Sequence, residues 1–377
     1  MPPQTQTALV QSSSQQLVTS NSEPIPSLPS PHHVLVRVKA VGLNHNDHKM
    51  VAHFPLPGNG GGCDFCGVVE MIDEGVGSEP LNVDIRVGTR VCGTVFPYAP
   101  ANEDFRRLGA FAEYVVADAR LLLRIPEGWT DLQGAALGGV GWLTVALALS
   151  HPEALALPGL PSHPVENDEI MPILVYGGGT ATGTMTCQLL KLSGYRPIAV
   201  THSSMSAELA LRYGAASLLP YTPTPTNSGD TILKVGDGKL IRHALDCITD
   251  AESAAFCLGT IARTGGRYAC LEQFRNTWPR RRVVKVKEVM GYEVLGYDVD
   301  LGGAESVYTR ESSPDAFAIG TRWAGEMQRL LDRGLVETHP IQEIPGRWDG
   351  VVEGLSMLQA GKVRGYKLVV RLSNDVA

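Results

Sequence analysis

One segment, residues 173–200, constrains the fold of this chain more than any other. It reads ILVY, then GGGTATG, then TMTCQLLKLSGY, and finally RPIAV. The apolar run, the glycine cluster and the helical spacing predict a buried strand, a turn, a helix and a second strand. Such a turn lets backbone N–H groups approach a pyrophosphate, and the helix amino terminus adds a positive dipole. We therefore predict a dinucleotide site, in which the Thr180 hydroxyl could also donate to a phosphate oxygen. The glycines that permit the close approach are Gly177, Gly178, Gly179 and Gly183.

The chain changes its pattern near residue 170, so the 377 residues suit two domains. After that point strands alternate with helices, which predicts a parallel sheet covered on both faces. Before about residue 125, short strand-like runs such as HHVLVRVKAVGLN and CGVVEMI are broken by glycine and proline, and predict an antiparallel or barrel-like unit. The terminal run YKLVVRL reads as a strand that could return to this first unit.

Composition excludes several classes of protein. The net charge of -7 gives no basic face for nucleic acid. No apolar run approaches the roughly 20 residues of a membrane span, so no membrane is expected. The amino terminus lacks the basic and apolar regions of a secretory signal. The seven cysteines lie in apolar contexts and suit reduced thiols, which together predict a cytoplasmic protein.

The end of the second strand, residues 201–206, indicates which dinucleotide is bound. It reads THSSMS and contains no carboxylate. An NAD site usually places Asp or Glu there to hold the ribose 2′-hydroxyl, and that carboxylate would repel a 2′-phosphate. Hydroxyls and a histidine favour NADPH instead, with Tyr221 or Lys191 as further contacts.

Together the motifs YGGGTATGTMTCQLLKLSGY, GCDFCGVV, VGLNHNDHKM, GAFAEYVVAD and GKVRGYKLVV resemble the medium-chain dehydrogenase/reductase superfamily. Within it the chain resembles, over nearly its whole length, the fungal trans-acting enoyl reductases that serve polyketide synthases. The resemblance implies an α/β fold with a Rossmann domain, a doubly wound parallel sheet, inserted into a GroES-like β-rich catalytic domain. The expected boundaries are 1–140, completed by about 316–377, for the catalytic domain, and 141–315 for the NADPH-binding domain.

The same resemblance implies an activity. The family reduces the α,β-double bond of a thioester on the acyl-carrier domain of a polyketide synthase or a polyketide–peptide synthase hybrid, with NADPH in a cleft between the domains. Hydride goes to the β-carbon, and water or a relay protonates the α-carbon. A monomer is expected, because relatives of this subgroup are often monomeric.

The resemblance also carries over site residues. Lys49 is the lead catalytic candidate, since an ammonium could stabilise enolate charge or relay a proton; an exposed lysine is the plain alternative. Thr144 is the second, and a helix residue that packs internally is its alternative. Cofactor contacts are expected from Asn46, Asp47, His48, Lys49, Thr180, Ala181, Thr182, Gly183, Ser203, Ser204, Met205, Ser206, Tyr221, Cys270, Leu271, Val363 and Arg364. Substrate contacts are expected from Leu143, Thr144, Val145, Ala146, Gly291, Tyr292, Glu293 and Val294. The segment around these last four residues could equally be a glycine-punctuated strand, and the NDH of residues 46–48 an ordinary turn.

Cys63 and Cys66 raise the question of a metal. Zinc-dependent members of the superfamily carry a catalytic Cys where this chain has Asn44, and Gly-His-Glu where it has Gly62-Cys63-Asp64. A zinc site needs three or four convergent ligands. CDFCGVVE reads as a strand, where residues three apart point to opposite faces, so we expect buried free thiols and no metal. Three other interpretations stay open: a quinone or small-enone reductase on free substrates, a cofactor-binding protein without catalysis, and a zinc alcohol dehydrogenase.

Overall fold

The computed structural model describes residues 4–72, 84–98, 109–166, 170–221 and 229–373. The chain divides into two units. The first contains Met1–Val140 and Tyr292–Ala377, and the second contains Gly141–Gly291. The chain therefore re-enters the first unit at Tyr292, earlier than the expected position near residue 316. The reason is that the residues after Gly291 make their contacts there, beginning with Tyr292, whose hydroxyl lies 3.0 Å from the Cys63 sulfur.

The second unit is the predicted parallel sheet with helices. Its strands lie in the order β10-β9-β8-β11-β12-β13, and all neighbours are parallel. In this doubly wound arrangement the strand order reverses between β8 and β11, where the carboxyl ends of the strands open a crevice for ligands. The elements are β8 (Pro172–Tyr176), α4 (Ala181–Leu192), β9 (Arg196–Thr201), α5 (Ser204–Arg212), β10 (Ser217–Pro220), α6 (Gly229–Val235), β11 (His243–Asp246), α7 (Ala251–Thr260), β12 (Gly266–Cys270) and β13 (Val284–Glu288).

The first unit is built on a largely antiparallel sheet of seven strands. Its order is β14-β15-β3-β4-β5-β7, and β6 pairs with β3. The terminal strand β15 pairs antiparallel with β3, so the predicted return of the YKLVVRL run is confirmed. The seven strands are β3 (His33–Gly42), β4 (Asp64–Ile72), β5 (Arg90–Thr94), β6 (Tyr114–Asp118), β7 (Leu123–Arg124), β14 (Ile341–Glu343) and β15 (Lys367–Arg371). Two further strands, β1 (Thr5–Gln11) and β2 (Leu17–Pro24), pair antiparallel in a sheet of their own. The helices are α1 (His45–His53), α2 (Asp131–Leu137), α8 (Pro314–Asp332) and α9 (Trp348–Gln359). Helix α3 (Val140–Ser150) begins in the first unit and continues into the second.

Each unit has its own apolar core. The alternating residues of β3 and β4, among them Val36 and Phe65, are buried with the inner face of α9 in the first unit. In the second unit the core residues of β8, β9 and β11 pack against α7. All five residues of β8 are buried and none of them is charged, as a strand covered by helices on both faces requires.

One helical stretch corrects the expectation about apolar runs. Among the described residues, Asp131–Ser150 is long and apolar enough to cross a membrane. Its most apolar window is 78% buried inside the protein, as is usual for a core helix.

Candidate active site

The turn between β8 and α4 has the form that the sequence predicts. Gly177 has φ +77°, a backbone conformation that residues other than glycine rarely adopt. A Cβ atom on Gly183 would lie 2.1 Å from the Gly177 carbonyl oxygen, and one on Gly178 would lie 2.5 Å from the Ala199 Cβ atom. Glycine is therefore required at Gly183 because the first turn of α4 packs directly onto the end of β8, and at Gly178 because the turn also packs onto β9.

Thr180 has a different role from the predicted one. It is the N-cap of α4, and its hydroxyl accepts a hydrogen bond from the Gly183 backbone N–H at 3.0 Å. The hydroxyl donates to the Gly177 carbonyl at 2.8 Å, so its one proton is already used inside the turn. Ala181 and Thr182 occupy the first helical positions, where backbone N–H groups have no partner within the helix. A phosphate would be bound there by the backbone rather than by the Thr180 side chain.

The carboxyl end of β9 leads directly into α5. Ser203 and Ser206 form a reciprocal capping box, in which each hydroxyl accepts from the other residue's backbone N–H, at 3.2 and 3.1 Å. The first turn of α5 contains no acidic residue. Ser204 and Met205 are exposed beside it, and Met205 is 42% exposed. The helix amino terminus thus presents a positive dipole and hydroxyls at an accessible surface.

Tyr221 is part of an aromatic group at the same end of the sheet. Its ring stacks on His202 with centroids 4.2 Å apart, and the Tyr176 hydroxyl lies 3.1 Å from His202 Nε2. The Tyr221 hydroxyl donates to the carboxylate of Glu252 in the first turn of α7. Glu252 was not predicted from the sequence, because its partner lies on another element and no local motif links them.

Cys270 and Leu271 lie at the carboxyl end of β12. Cys270 is fully buried, and burial raises the pKa of its thiol well above the ordinary value. The Leu271 backbone N–H donates to the Thr249 hydroxyl at 3.0 Å. Thr249 itself has φ +61°, a left-handed conformation that is costly for a β-branched residue and that such hydrogen bonds hold in place. Thr249 therefore connects the end of β12 to the end of β11.

Helix α3 carries four of the residues that were predicted to contact substrate. Leu143, Val145 and Ala146 are at most 1% exposed, so they pack as core residues rather than at an accessible surface. The physical reason is that α3 is apolar on all sides, and a helix of this kind is buried. Thr144 is 8% exposed. It lies so close to Gly291 that a Cβ atom there would be 2.2 Å from the Thr144 hydroxyl oxygen.

The NDHK residues form part of α1, not the loop or turn that the sequence suggested. Asn44 is the N-cap, and its backbone N–H donates to Asp47 at 2.7 Å, which completes a capping box. This pattern of Asn followed three residues later by an acid was a usable signal for a helix start. Lys49 and His48 are half-buried on this helix. Burial, followed by the charges of His45 and Lys49, lowers the pKa of His48.

Asp47 is a buried acid. It is 1% exposed, and burial raises its pKa from 3.8 to about 7. Its Oδ1 atom has no hydrogen-bond partner within the described residues, and neither has Nε2 of the adjacent His48. Two neighbouring positions of α1 therefore hold buried polar atoms that the surrounding fold does not satisfy.

Residues 291–295 form a 3-10 helix and not the strand that was the alternative interpretation. Tyr292 is 8% exposed, and its hydroxyl contacts Asn46 Nδ2 and the Cys63 sulfur, the latter at 3.0 Å. Its ring packs on Phe96 with centroids 4.2 Å apart. Glu293 lies 3.8 Å from Arg310, and Val294 is fully buried. The polar end of Tyr292 is therefore committed to a buried network in the first unit.

Asp64 is at the centre of a second buried group. Its Oδ1 accepts from the backbone N–H groups of Gly139 and Val140 at 2.8 and 2.9 Å. Its Oδ2 accepts from Asn44 Nδ2 at 2.9 Å and from Lys367 Nζ at 3.1 Å. Four donors fill the acceptor sites of the carboxylate. Lys367 was missed from the sequence.

The two neighbouring cysteines face different surroundings. Cys63 lies among Tyr292 and Asn46, whereas the Cys66 sulfur lies 3.9 Å from Asp131. Burial raises the pKa of both thiols well above the ordinary value. Across the described parts of the chain, no group of three or more His, Cys, Asp or Glu side chains could hold a metal ion.

Val363 and Arg364, the last two of the predicted cofactor contacts, lie between α9 and β15. Val363 is half-buried and packs against the core of the first unit, and Arg364 is exposed. Both residues therefore belong to the first unit. The exposed guanidinium of Arg364 is accessible to an anionic ligand.

Comparisons with known proteins identify the family. Residues 30–127 match the model of the alcohol dehydrogenase GroES-like domain. The chain is 51% identical to the trans-enoyl reductase calK of Penicillium decumbens, over 98% of this chain and 99% of that relative. It is 50% identical to the trans-enoyl reductase sthE of Phaeosphaeria nodorum, over 99% of each chain. The crystal structure of the CurK enoyl reductase shares the fold, with a TM-score of 0.68 and 15% identity over 97% of this chain and 99% of that one. The chain therefore belongs to the fungal trans-enoyl reductases of the medium-chain dehydrogenase/reductase superfamily.

Proposed function

We propose that this protein is an NADPH-dependent enoyl reductase that reduces the α,β-double bond of a thioester carried by the acyl-carrier domain of a polyketide synthase. Relatives named trans-enoyl reductases, at 51% and 50% identity over nearly the whole chain, support the reaction. The observation that carries the choice of cofactor is the amino terminus of α5, which presents serine hydroxyls and no carboxylate in its first turn.

The second unit fits a dinucleotide phosphate. The close packing of Gly183 on Gly177 leaves a backbone surface that any Cβ atom would fill. The backbone at the amino end of α4 would hold the pyrophosphate, since the N–H groups there lack partners within the helix. The residues that would hold the remaining parts of NADPH are Ser203, Ser204, Met205, Ser206 and Tyr221 at the adenosine, Cys270 and Leu271 at the nicotinamide, and Asn46, Asp47, His48, Lys49, Val363 and Arg364 from the first unit.

NADPH supplies the hydride that the β-carbon of the enoyl thioester accepts. The Lys49 ammonium would stabilise the negative charge that develops on the thioester oxygen, or relay the proton that the α-carbon takes up. The Thr144 hydroxyl would donate to the substrate carbonyl or to the nicotinamide, beside Gly291. Both roles use groups that the fold places on helices rather than on loops, which helps to fix their positions.

The test is a comparison of substrates and cofactors. NADPH oxidation would be followed with an α,β-unsaturated acyl thioester, on pantetheine and on a carrier protein, and with a simple enone in parallel. We expect turnover of the thioester that is lost with NADH. Turnover of the enone alone, or equal rates with NADH, would contradict the proposal.

A matched pair of variants connects the activity to the turn. Gly183→Ala should abolish NADPH binding, because its Cβ atom would lie 2.1 Å from a backbone oxygen. Gly128→Ala is the control, since a Cβ atom there meets nothing within 4 Å. Equal affinity of both variants for NADPH, measured by fluorescence titration, would show that the turn is not the phosphate site.

A further inference from the structure

Two adjacent residues of the first unit, Cys63 and Asp64, contact two other residues of the same unit, Val140 and Tyr292. The Asp64 carboxylate accepts from the backbone N–H of Val140 at 2.9 Å. The Cys63 sulfur lies 3.0 Å from the Tyr292 hydroxyl. Cys63 and Asp64, at the point where β4 begins, thus hold Tyr292 and Val140 in place.

Val140 and Tyr292 are each connected to Thr144 through a neighbouring residue or helix. Helix α3 begins at Val140 and carries Thr144 one turn later, so the contact with Asp64 anchors the amino end of the helix that bears this hydroxyl. Gly291, which precedes Tyr292, lies against the hydroxyl from the side, where an added Cβ atom would be 2.2 Å from it. A shift of Tyr292 would therefore move the backbone that the Thr144 hydroxyl touches.

The Tyr292 hydroxyl is a specific attachment. It lies between Asn46 Nδ2 and the Cys63 sulfur, and the ring rests on Phe96. Removal of the hydroxyl alone would release the polar contacts and leave the ring packing in place. The two contributions can therefore be separated by experiment.

We propose that Tyr292 is a positioning residue, whose hydroxyl, held between Asn46 and Cys63, keeps Gly291 against the Thr144 hydroxyl and so orients it for reduction. This inference rests on the proposed function, in which Thr144 contacts the substrate or the nicotinamide. In this proposal the buried Cys63 thiol has a structural role, which is to hold the Tyr292 hydroxyl.

The test compares Tyr292→Phe, Thr144→Val and the double variant. We expect each single variant to lower kcat about tenfold with little change in the KM for NADPH, because a misplaced group mainly costs the reaction step. The double variant should be no slower than Thr144→Val alone, since residues that act through one group are not additive. The deuterium isotope effect with NADPH labelled at C4 should rise in Tyr292→Phe, a change that a purely structural role would not cause.

Tyr98→Phe is the matched control. Tyr98 is also 8% exposed, its ring also contacts Phe96, and its hydroxyl accepts from Gln11 at 2.8 Å. We expect wild-type kcat from this variant. Cys63→Ala removes the other partner of the contact and should lower kcat as much as Tyr292→Phe does. Thermal unfolding of all variants would show whether each one folds.

The outcomes separate the two proposals. Wild-type kcat in Tyr292→Phe and Cys63→Ala, or a double variant whose loss is the product of the single losses, would overturn the positioning role alone. Wild-type kcat in Thr144→Val would overturn the role of Thr144 and with it the inference. A wild-type protein that does not oxidise NADPH with the thioester would overturn the proposed function.

Discussion

Asp64 Oδ2 lies 3.1 Å from the Lys367 ammonium, and the two side chains are 1% and 9% exposed. Lys367 is the first residue of the terminal strand β15, and Asp64 is the first residue of β4. The same ammonium also donates to Asn44 Oδ1, so three segments of the first unit meet at one buried charge. The ion pair therefore connects the carboxyl-terminal strand β15 to strand β4 within the first unit.

Lys367→Met should be strongly destabilising. It removes one partner of a buried pair and leaves the Asp64 carboxylate without its cation, which costs about 3–5 kcal/mol in comparable cases. Urea unfolding would measure the free energy of unfolding. Arg124→Met is the control, because Arg124 pairs with Asp332 at 3.2 Å with both side chains about half exposed, at 44% and 45%. Such a pair contributes less than about 1 kcal/mol. Similar losses in the two variants would contradict the assignment of Lys367 as a buried partner.

Asp47 should make stability fall as the pH rises. Burial raises its pKa from 3.8 in the unfolded chain to about 7 in the fold. Below pH 3.8 both states are protonated, and above about pH 7 both are ionised. Between these values the folded state holds a proton that the unfolded state has lost, so the free energy of unfolding decreases, by about 1.4 kcal/mol per pH unit at the steepest point.

Asp47→Asn isolates this contribution. The amide keeps an acceptor for the Asn44 backbone N–H of the capping box but does not titrate. We expect the stability of the wild type relative to Asp47→Asn to fall from pH 4 to pH 7 and then level off, a window set by the two pKa values above. The measurement is the urea midpoint of both proteins across this range. A difference between them that does not change with pH would mean that Asp47 is ionised throughout the range.

Local signals predicted the parts of the fold that depend on neighbours in sequence. The strand, glycine turn and helix of residues 173–192 follow from apolar runs and glycine spacing, and the structure has them where expected. The Asp64–Lys367 pair could not be predicted, because its members are 303 residues apart and nothing near Lys367 marks it as buried. The helical state of residues 45–53 was missed although Asn44 and Asp47 supplied a capping signal. Glycine at 291 suggested a broken strand, whereas close approach to Thr144 is what requires it.

Ser203→Asp tests the proposed choice of NADPH, and it should shift the cofactor preference towards NADH. Aspartate caps a helix as well as serine does, so the fold of α5 is kept, but in the proposed site its carboxylate would face the 2′-phosphate. The repulsion should raise the KM for NADPH about tenfold or more relative to NADH. Ser203→Asn is the control, since it is a neutral cap of the same size and should keep the wild-type preference. An unchanged KM for NADPH in Ser203→Asp would place the 2′-phosphate elsewhere.

Gly291→Ala should displace the Thr144 hydroxyl without unfolding the protein. The added Cβ atom would lie 2.2 Å from the hydroxyl oxygen, so that oxygen must move. We expect kcat to fall about tenfold while the KM for NADPH stays near the wild-type value, since the change affects the reaction step. Gly141→Ala is the control on helix α3, because a Cβ atom there meets nothing within 4 Å. It should leave kcat unchanged and add about 0.4–1 kcal/mol of stability. Steady-state kinetics of both variants would decide the question, and wild-type kcat in Gly291→Ala would show that reduction does not depend on where this hydroxyl lies.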